Sequence, residues 1–153
     1  MKWRSARLLI GAAIALLGCL QGTAMAKMVL WLAMKGRVLM NGQPAAGAVL
    51  VRHDDWHWKD EKGSDRAVAN VAGEFVFPAI DGSSFFGGLL PHEPVIRQEM
   101  IIEYQGAIYA AWNGYKGSYK PHSENDGRPI NLVCRLDAQR TAHGQVTGLC
   151  EFV

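Results

Sequence analysis

Arg97-Gln98-Glu99-Met100-Ile101-Ile102-Glu103-Tyr104, then Gln105-Gly106, then Ala107-Ile108-Tyr109-Ala110-Ala111-Trp112 reads as a strand, a turn and a second strand. Gln98, Met100, Ile102 and Tyr104 fall on one face, and Arg97, Glu99 and Glu103 on the other, where Ile101 is the apolar exception. A period of two over eight residues is the signature of a half-buried antiparallel strand. Gln105-Gly106 supplies the positive backbone angles that a tight turn needs.

The same grammar extends in both directions. Glu74-Phe75-Val76-Phe77 alternates, residues 29–34 and 36–40 read as core strands, and residues 131–136 and 149–153 add further strands. Asn41-Gly42, Asp81-Gly82, Asn113-Gly114 and Asp126-Gly127 punctuate them as turns. The segment 36–40 is expected to return through a hairpin-like turn into residues 48–53. No long amphipathic segment interrupts the series, so helix is limited to a single turn around residues 83–90. Seven or eight short strands joined by Gly turns predict an all-β, two-sheet antiparallel sandwich. Residues 114–129, rich in Gly, Lys, Ser, Asn and Asp, form the expected long loop, the kind of segment that carries function on such scaffolds.

The chain has 153 residues, 49% hydrophobic and 20% charged, which excludes disordered, collagen-like and multi-spanning membrane classes and predicts one domain. Its first 26 residues form three zones: a basic start with Lys2, Arg4 and Arg7, an apolar run over 8–20, and a short tract ending in Ala24-Met25-Ala26. That order is a secretory signal peptide. About 13 apolar residues are too few to span a bilayer, which takes roughly 20. Cleavage after Ala26 is expected to release a domain of residues 27–153 into the periplasm. Leu16-Leu17-Gly18-Cys19 resembles a lipobox and provides the competing outcome, in which Cys19 is acylated and the protein is tethered to the envelope membrane. Of the 16 basic residues, three precede the cleavage site, so the domain keeps 13 bases against 14 acids. A net −1 provides no basic face for nucleic acid.

Removing or acylating Cys19 leaves Cys134 and Cys150. In an oxidising compartment an even pair predicts a disulfide. No CxxC spacing or adjacent His pattern points to redox or metal chemistry.

Gly36-Arg37-Val38, Asn41-Gly42-Gln43-Pro44-Ala45-Ala46-Gly47-Ala48-Val49 and Ala72-Gly73-Glu74-Phe75-Val76-Phe77-Pro78 resemble the carboxypeptidase regulatory-like, or transthyretin-like, β-sandwich. There a first strand turns through Gly-x-Pro-x-x-Gly-Ala and a later turn enters a Gly-x-Phe-x-Phe strand. Asn70-Val71-Ala72-Gly73 departs from the Thr-Asp-x-x-Gly usual at that turn. Leu89-Leu90-Pro91-His92-Glu93-Pro94, Gln98 to Tyr104, Gly127-Arg128-Pro129-Ile130-Asn131-Leu132-Val133-Cys134 and Gly148-Leu149-Cys150 are similar to small uncharacterised proteobacterial exported proteins of this type. The resemblance implies a sandwich serving as an accessory or binding module, and no particular activity.

Two clusters carry chemistry. In His53-Asp54-Asp55-Trp56-His57-Trp58-Lys59-Asp60, an extended strand would hold the two imidazoles roughly 13 Å apart, too far to share a metal. Trp112, Asn113, Tyr115, Lys116, Tyr119 and Lys120 place aromatic faces among polar donors on or beside the long loop. His122, Glu124 and Asp126 alternate donor atoms without the oxygen cage that calcium needs. Catalytic signatures are missing: no Gly-x-Ser-x-Gly, no phosphate-cradling loop, no His-Glu-x-x-His. The expectation is therefore a non-enzymatic binding protein with no cofactor or metal, and with Trp56, His57, Trp58, Tyr115 and Tyr119 as partner-binding residues. An immunity protein against an envelope-acting interbacterial toxin, of the type VI secretion kind, leads. The alternative is an envelope accessory module that binds glycan, peptide or a membrane-protein partner.

Overall fold

The computed structural model describes residues 27–84 and 90–153; the signal-peptide reading lies outside them. Among the described residues the chain is all-β, with a single 3-10 turn at Ser123–Asn125. The strands are β1 Lys27–Trp31, β2 Met34–Met40, β3 Gln43–Pro44, β4 Val49–Trp56, β5 Glu61–Val68, β6 Glu74–Phe77, β7 Ile80–Ser83, β8 Ile96–Tyr104, β9 Ala107–Lys116, β10 Ile130–Arg135, β11 Thr141–His143, β12 Val146–Gly148 and β13 Cys150–Phe152.

The larger layer is a sheet in the order β11-β12-β9-β8-β4-β5, and the facing layer is β13-β10-β2-β3, with β6 also on β2. A third, two-stranded piece pairs β1 with β7. The alternation read in residues 97–104 is realised: Ile96, Gln98, Met100 and Ile102 are buried, while Arg97 and Glu103 are exposed. Core residues from both layers meet between them, among them Val38, Leu50, Phe75, Met100, Trp112 and Leu132, joined by Trp31 of β1. Burying large apolar side chains, at about 25 cal/mol per Å², drives the two layers together.

Three expectations are corrected. Asn41-Gly42 closes a tight hairpin onto the two-residue β3, with Met40 opposite Gln43, rather than onto residues 48–53. β4 instead crosses to the other layer, between β5 and β8. β10 runs parallel to β2, from Ile130 opposite Met34 to Arg135 opposite Leu39, so the sandwich is not wholly antiparallel. The second strand of the opening hairpin continues to Lys116, which shortens the expected loop and places Tyr115 and Lys116 in the sheet. The single helical turn expected around residues 83–90 falls mostly outside the described residues, and Ser83 itself ends β7.

Cys134 and Cys150 are disulfide-bonded across β10 and β13, as the cysteine arithmetic predicted. They stand directly opposite in the register, with Cα atoms 4.0 Å apart. Leu149 joins β12 of one layer to β13 of the other, so the staple fixes the strand that closes one side of the sandwich.

Candidate partner-binding surface

On β4 every second residue points inward: Leu50, Arg52, Asp54 and Trp56 are buried, and His53 is exposed. This parity decides the fate of Trp56. Expected as an exposed binding residue, it is completely buried with Met28, Leu30 and Ile96. Gly82 of β7 lies flat over it; a Cβ there would come within 2.6 Å of the indole ring. The correction is physical: an indole with no exposed surface cannot bury area against a partner, and it belongs to the core.

What Trp56 does is organise its neighbours. Its Nε1–H donates to the Tyr119 hydroxyl oxygen at 2.9 Å, with the two rings edge to face at 5.8 Å. The Tyr119 hydroxyl also lies 2.7 Å from His92 Nε2, and His92 Nδ1 lies 3.0 Å from the Leu90 carbonyl oxygen. Because Tyr119 accepts from Trp56, its own proton is free for His92 Nε2. His92 then carries its hydrogen on Nδ1 and donates it to Leu90. Burial pushes the Tyr119 phenol above its ordinary range against the lowering pull of the Trp56 bond, which keeps the O–H a donor. His92 in turn stacks on Trp58, centroids 3.9 Å apart and planes 20° from parallel.

The chain of contacts runs from core to surface and ends on exposed groups. Trp58 and His57 occupy the β4–β5 turn, Trp58 with 37% of its surface exposed. Tyr115, 55% exposed, stands on the outward face of β9. It heads a cross-strand row that continues through Arg97, Asp55 and Lys62 toward that turn. Strands lie about 4.8 Å apart, so Tyr115 is about 10 Å from the Asp55 position. Surface pairs frame the row: Lys62 to Asp55 at 3.4 Å, Arg97 to Glu99 at 3.7 Å and Lys59 to Glu61 at 2.6 Å. Exposed pairs of this kind contribute at most about 1 kcal/mol each to stability and leave their charges open to a partner. Of the five residues expected to bind, His57, Trp58 and Tyr115 are surface groups, Tyr119 is a half-buried support and Trp56 is interior.

Beneath the surface lies a polar interior that motif reading missed. Arg52 donates through Nε and Nη2 to the two Asp65 carboxylate oxygens at 2.8 and 2.6 Å, and through Nη2 to the Pro78 carbonyl at 2.8 Å. Its guanidinium lies 4.2 Å from the Phe77 ring centroid and 5.1 Å from that of Trp31. The Lys116 ammonium meets Glu124 at 2.9 Å, with both side chains almost fully buried. Glu124 also accepts from Leu32 N–H at 3.1 Å and from Gln98 Nε2 at 3.2 Å. Burial pulls the Lys116 ammonium below its ordinary range, and Glu124 opposes that shift. Glu124 is thus turned inward from the 3-10 turn, which separates it from a cation shared with His122 and Asp126. Rather than a free segment, the 117–129 stretch is pinned by a buried ion pair. Asp54 Oδ1 lies in the same interior without a hydrogen-bond partner among the described residues, and its carboxyl is raised chiefly by burial.

Residues 34–139 match the family model described as a domain of unknown function, DUF6795. The chain belongs to the DUF6795 family. No curated protein and no solved structure matches it. The DUF6795 match takes in β2 through β10, including the aromatic relay and the Lys116–Glu124 pair, whereas β1, β11, β12 and β13 lie beyond it. The disulfide therefore ties a cysteine inside the DUF6795 segment to one outside it.

Proposed function

We propose that this DUF6795 protein is a non-enzymatic binding protein of the bacterial periplasm, exported by its N-terminal signal peptide and released after Ala26. It acts as an immunity protein, occluding a toxin of the type VI secretion kind that works in the envelope. The observation that carries the reading is the exposed Trp58, held on His92 and through Tyr119 on the buried Trp56, with Tyr115 on the same rim. Large aromatics fixed in advance lose little freedom on binding and dominate protein interfaces. Further support comes from the disulfide, which suits an oxidising compartment. The sandwich, with its Gly36 to Pro78 motifs, is of the carboxypeptidase regulatory-like type and serves here as a scaffold.

The test is a toxicity rescue in which the chain is co-expressed with the periplasm-targeted product of the neighbouring gene, followed by pull-down from periplasmic extract. Rescue is expected, together with a loss of at least about 2 kcal/mol of binding for Trp58→Ala or Tyr115→Ala at an unchanged unfolding midpoint. Rescue that survives both substitutions would remove the aromatic rim from the interface. Capture of a resident envelope protein or a glycan without rescue would replace the immunity reading with that of an accessory module.

A further inference from the structure

A cleft of about 550 Å³ opens at the seam between the two layers, lined by Arg128, Thr141, His143, Cys150 and Phe152 among others. Its volume is in the roughly 300–1,000 Å³ range of binding clefts, and it is separate from the aromatic rim. Its walls are strand edges. β11 is the terminal strand of the six-stranded sheet and β13 that of the facing sheet.

The hydrogen bonds of β13 show which way its backbone points. Arg135 N–H donates to the Leu149 carbonyl at 3.3 Å, and Val153 N–H to the Asn131 carbonyl at 3.0 Å. In an antiparallel pair alternate residues face the neighbour, so residues 149, 151 and 153 turn their backbone groups toward β10. Cys150 and Phe152 turn theirs the other way. The Cys134–Cys150 pair, with its 4.0 Å Cα separation, fits the close, non-hydrogen-bonded position that this alternation requires. Among the described residues, no ladder or turn bond takes the N–H and C=O groups of Cys150 and Phe152.

We propose that this seam receives an extended, acidic peptide segment of a partner protein, which adds a strand to β13. Unpaired edge groups recognise backbone, and only an extended chain offers donors and acceptors at the matching 2-residue repeat. The floor supplies side-chain contact: the Phe152 ring lies 4.4 Å from that of His143 and 5.4 Å from that of Trp112. Charge sets the preference. The Arg128 guanidinium is exposed and pairs with none of the described residues, whereas Glu151 is taken by Arg135 at 2.7 Å. Arg128 is thus the cation at the mouth that an incoming carboxylate meets, and Asp126 is not among the residues that line the cleft. The site stands whether or not the aromatic rim binds a toxin.

The probe is a phage-displayed library of random twelve-residue peptides, panned on the oxidised protein. Enriched sequences are expected to alternate β-branched residues with Asp or Glu, and their titration to shift the amide signals of Cys150 and Phe152. N-methylation of alternate peptide nitrogens should abolish binding. Arg128→Glu should weaken it at least about tenfold at an unchanged unfolding midpoint, and exchanging the peptide's acid for Lys should restore it. Failure to enrich any peptide, indifference to N-methylation, or binding lost on Trp58→Ala but kept on Arg128→Glu would each overturn the proposal.

Discussion

Replacing Lys116 by Met leaves the Glu124 carboxylate buried, still held by Leu32 N–H and Gln98 Nε2 but without its counter-charge. Removing one partner of a buried pair costs about 3–5 kcal/mol, about a fifth or more of the total for a domain whose stability lies in the roughly 5–15 kcal/mol range. With a urea slope of about 2 kcal/mol per M, Lys116→Met should lower the unfolding midpoint by about 2 M, read by tryptophan fluorescence with the disulfide intact. Glu124→Gln should cost a similar amount, because its amide sets a donor against the ammonium. That variant also has a pH signature. With the opposing pull of Glu124 removed, the folded Lys116 falls further below its ordinary 10.5. The unfolded chain then binds more protons in that interval, and stability rises with pH through it. The double variant removes both charges and keeps a carbonyl oxygen for Leu32 and Gln98, so it should lose only about 1–2 kcal/mol. Losses in the single variants that sum to the double within about 0.5 kcal/mol would refute the pair as a coupled unit.

Asp54→Asn should stabilise the fold more at pH 7 than at pH 3. The Asp54 carboxyl is raised above 3.8 chiefly by burial, so its contribution is present below 3.8 and lost as pH climbs through the folded value; equal gains in thermal midpoint at both pH values would contradict this. Trp56→Ala should cost about 3–5 kcal/mol as a core deletion, whereas Trp58→Ala should stay within about 1 kcal/mol; equal costs in chemical denaturation would mean that the relay does not divide core from surface. Replacing both cysteines by Ala should cost about 3 kcal/mol for the 16-residue separation, and non-reducing mass analysis of the native protein should show no free thiol at Cys134 or Cys150.

Much of the fold was legible because its strands alternate where one face meets the core. Residues 97–104 and 74–77 and the turns at Asn41-Gly42 and Asp126-Gly127 follow from local pattern alone, whereas Asp81-Gly82 and Asn113-Gly114, expected as turns, lie inside β7 and β9. β5 was not, because its inward positions are Gly63, Asp65 and Ala67, all only half-buried. Such small or paired residues leave no apolar stripe to read. The parallel pairing of β2 with β10 joins segments almost a hundred residues apart, and nothing local encodes it. At the surface, the error over Trp56 was avoidable. It shares parity with Leu50 through Arg52 and Asp54, and the two charged residues between them hid an inward face. Lys116 likewise shares parity with Gly114 and Trp112 on β9, a signal that appears only once the strand is known to reach it. His92 carried no mark in the sequence beyond a Pro-flanked segment, since its role comes from Tyr119, which lies 27 positions away.

The parallel β2–β10 pairing also governs the order in which the molecule can assemble. On a ribosome, or in a secretion channel entered N-terminus first, β2 emerges about a hundred residues before the strand that flanks it. The facing layer thus stays incomplete until residue 135 is out, and its edge waits for β13. Non-local pairing of this kind places folding in the slow, millisecond-to-second regime of β topologies. The β5-β4-β8-β9 part of the larger sheet, by contrast, has all its strands once Lys116 is out, so the two layers are completed at different points along the chain.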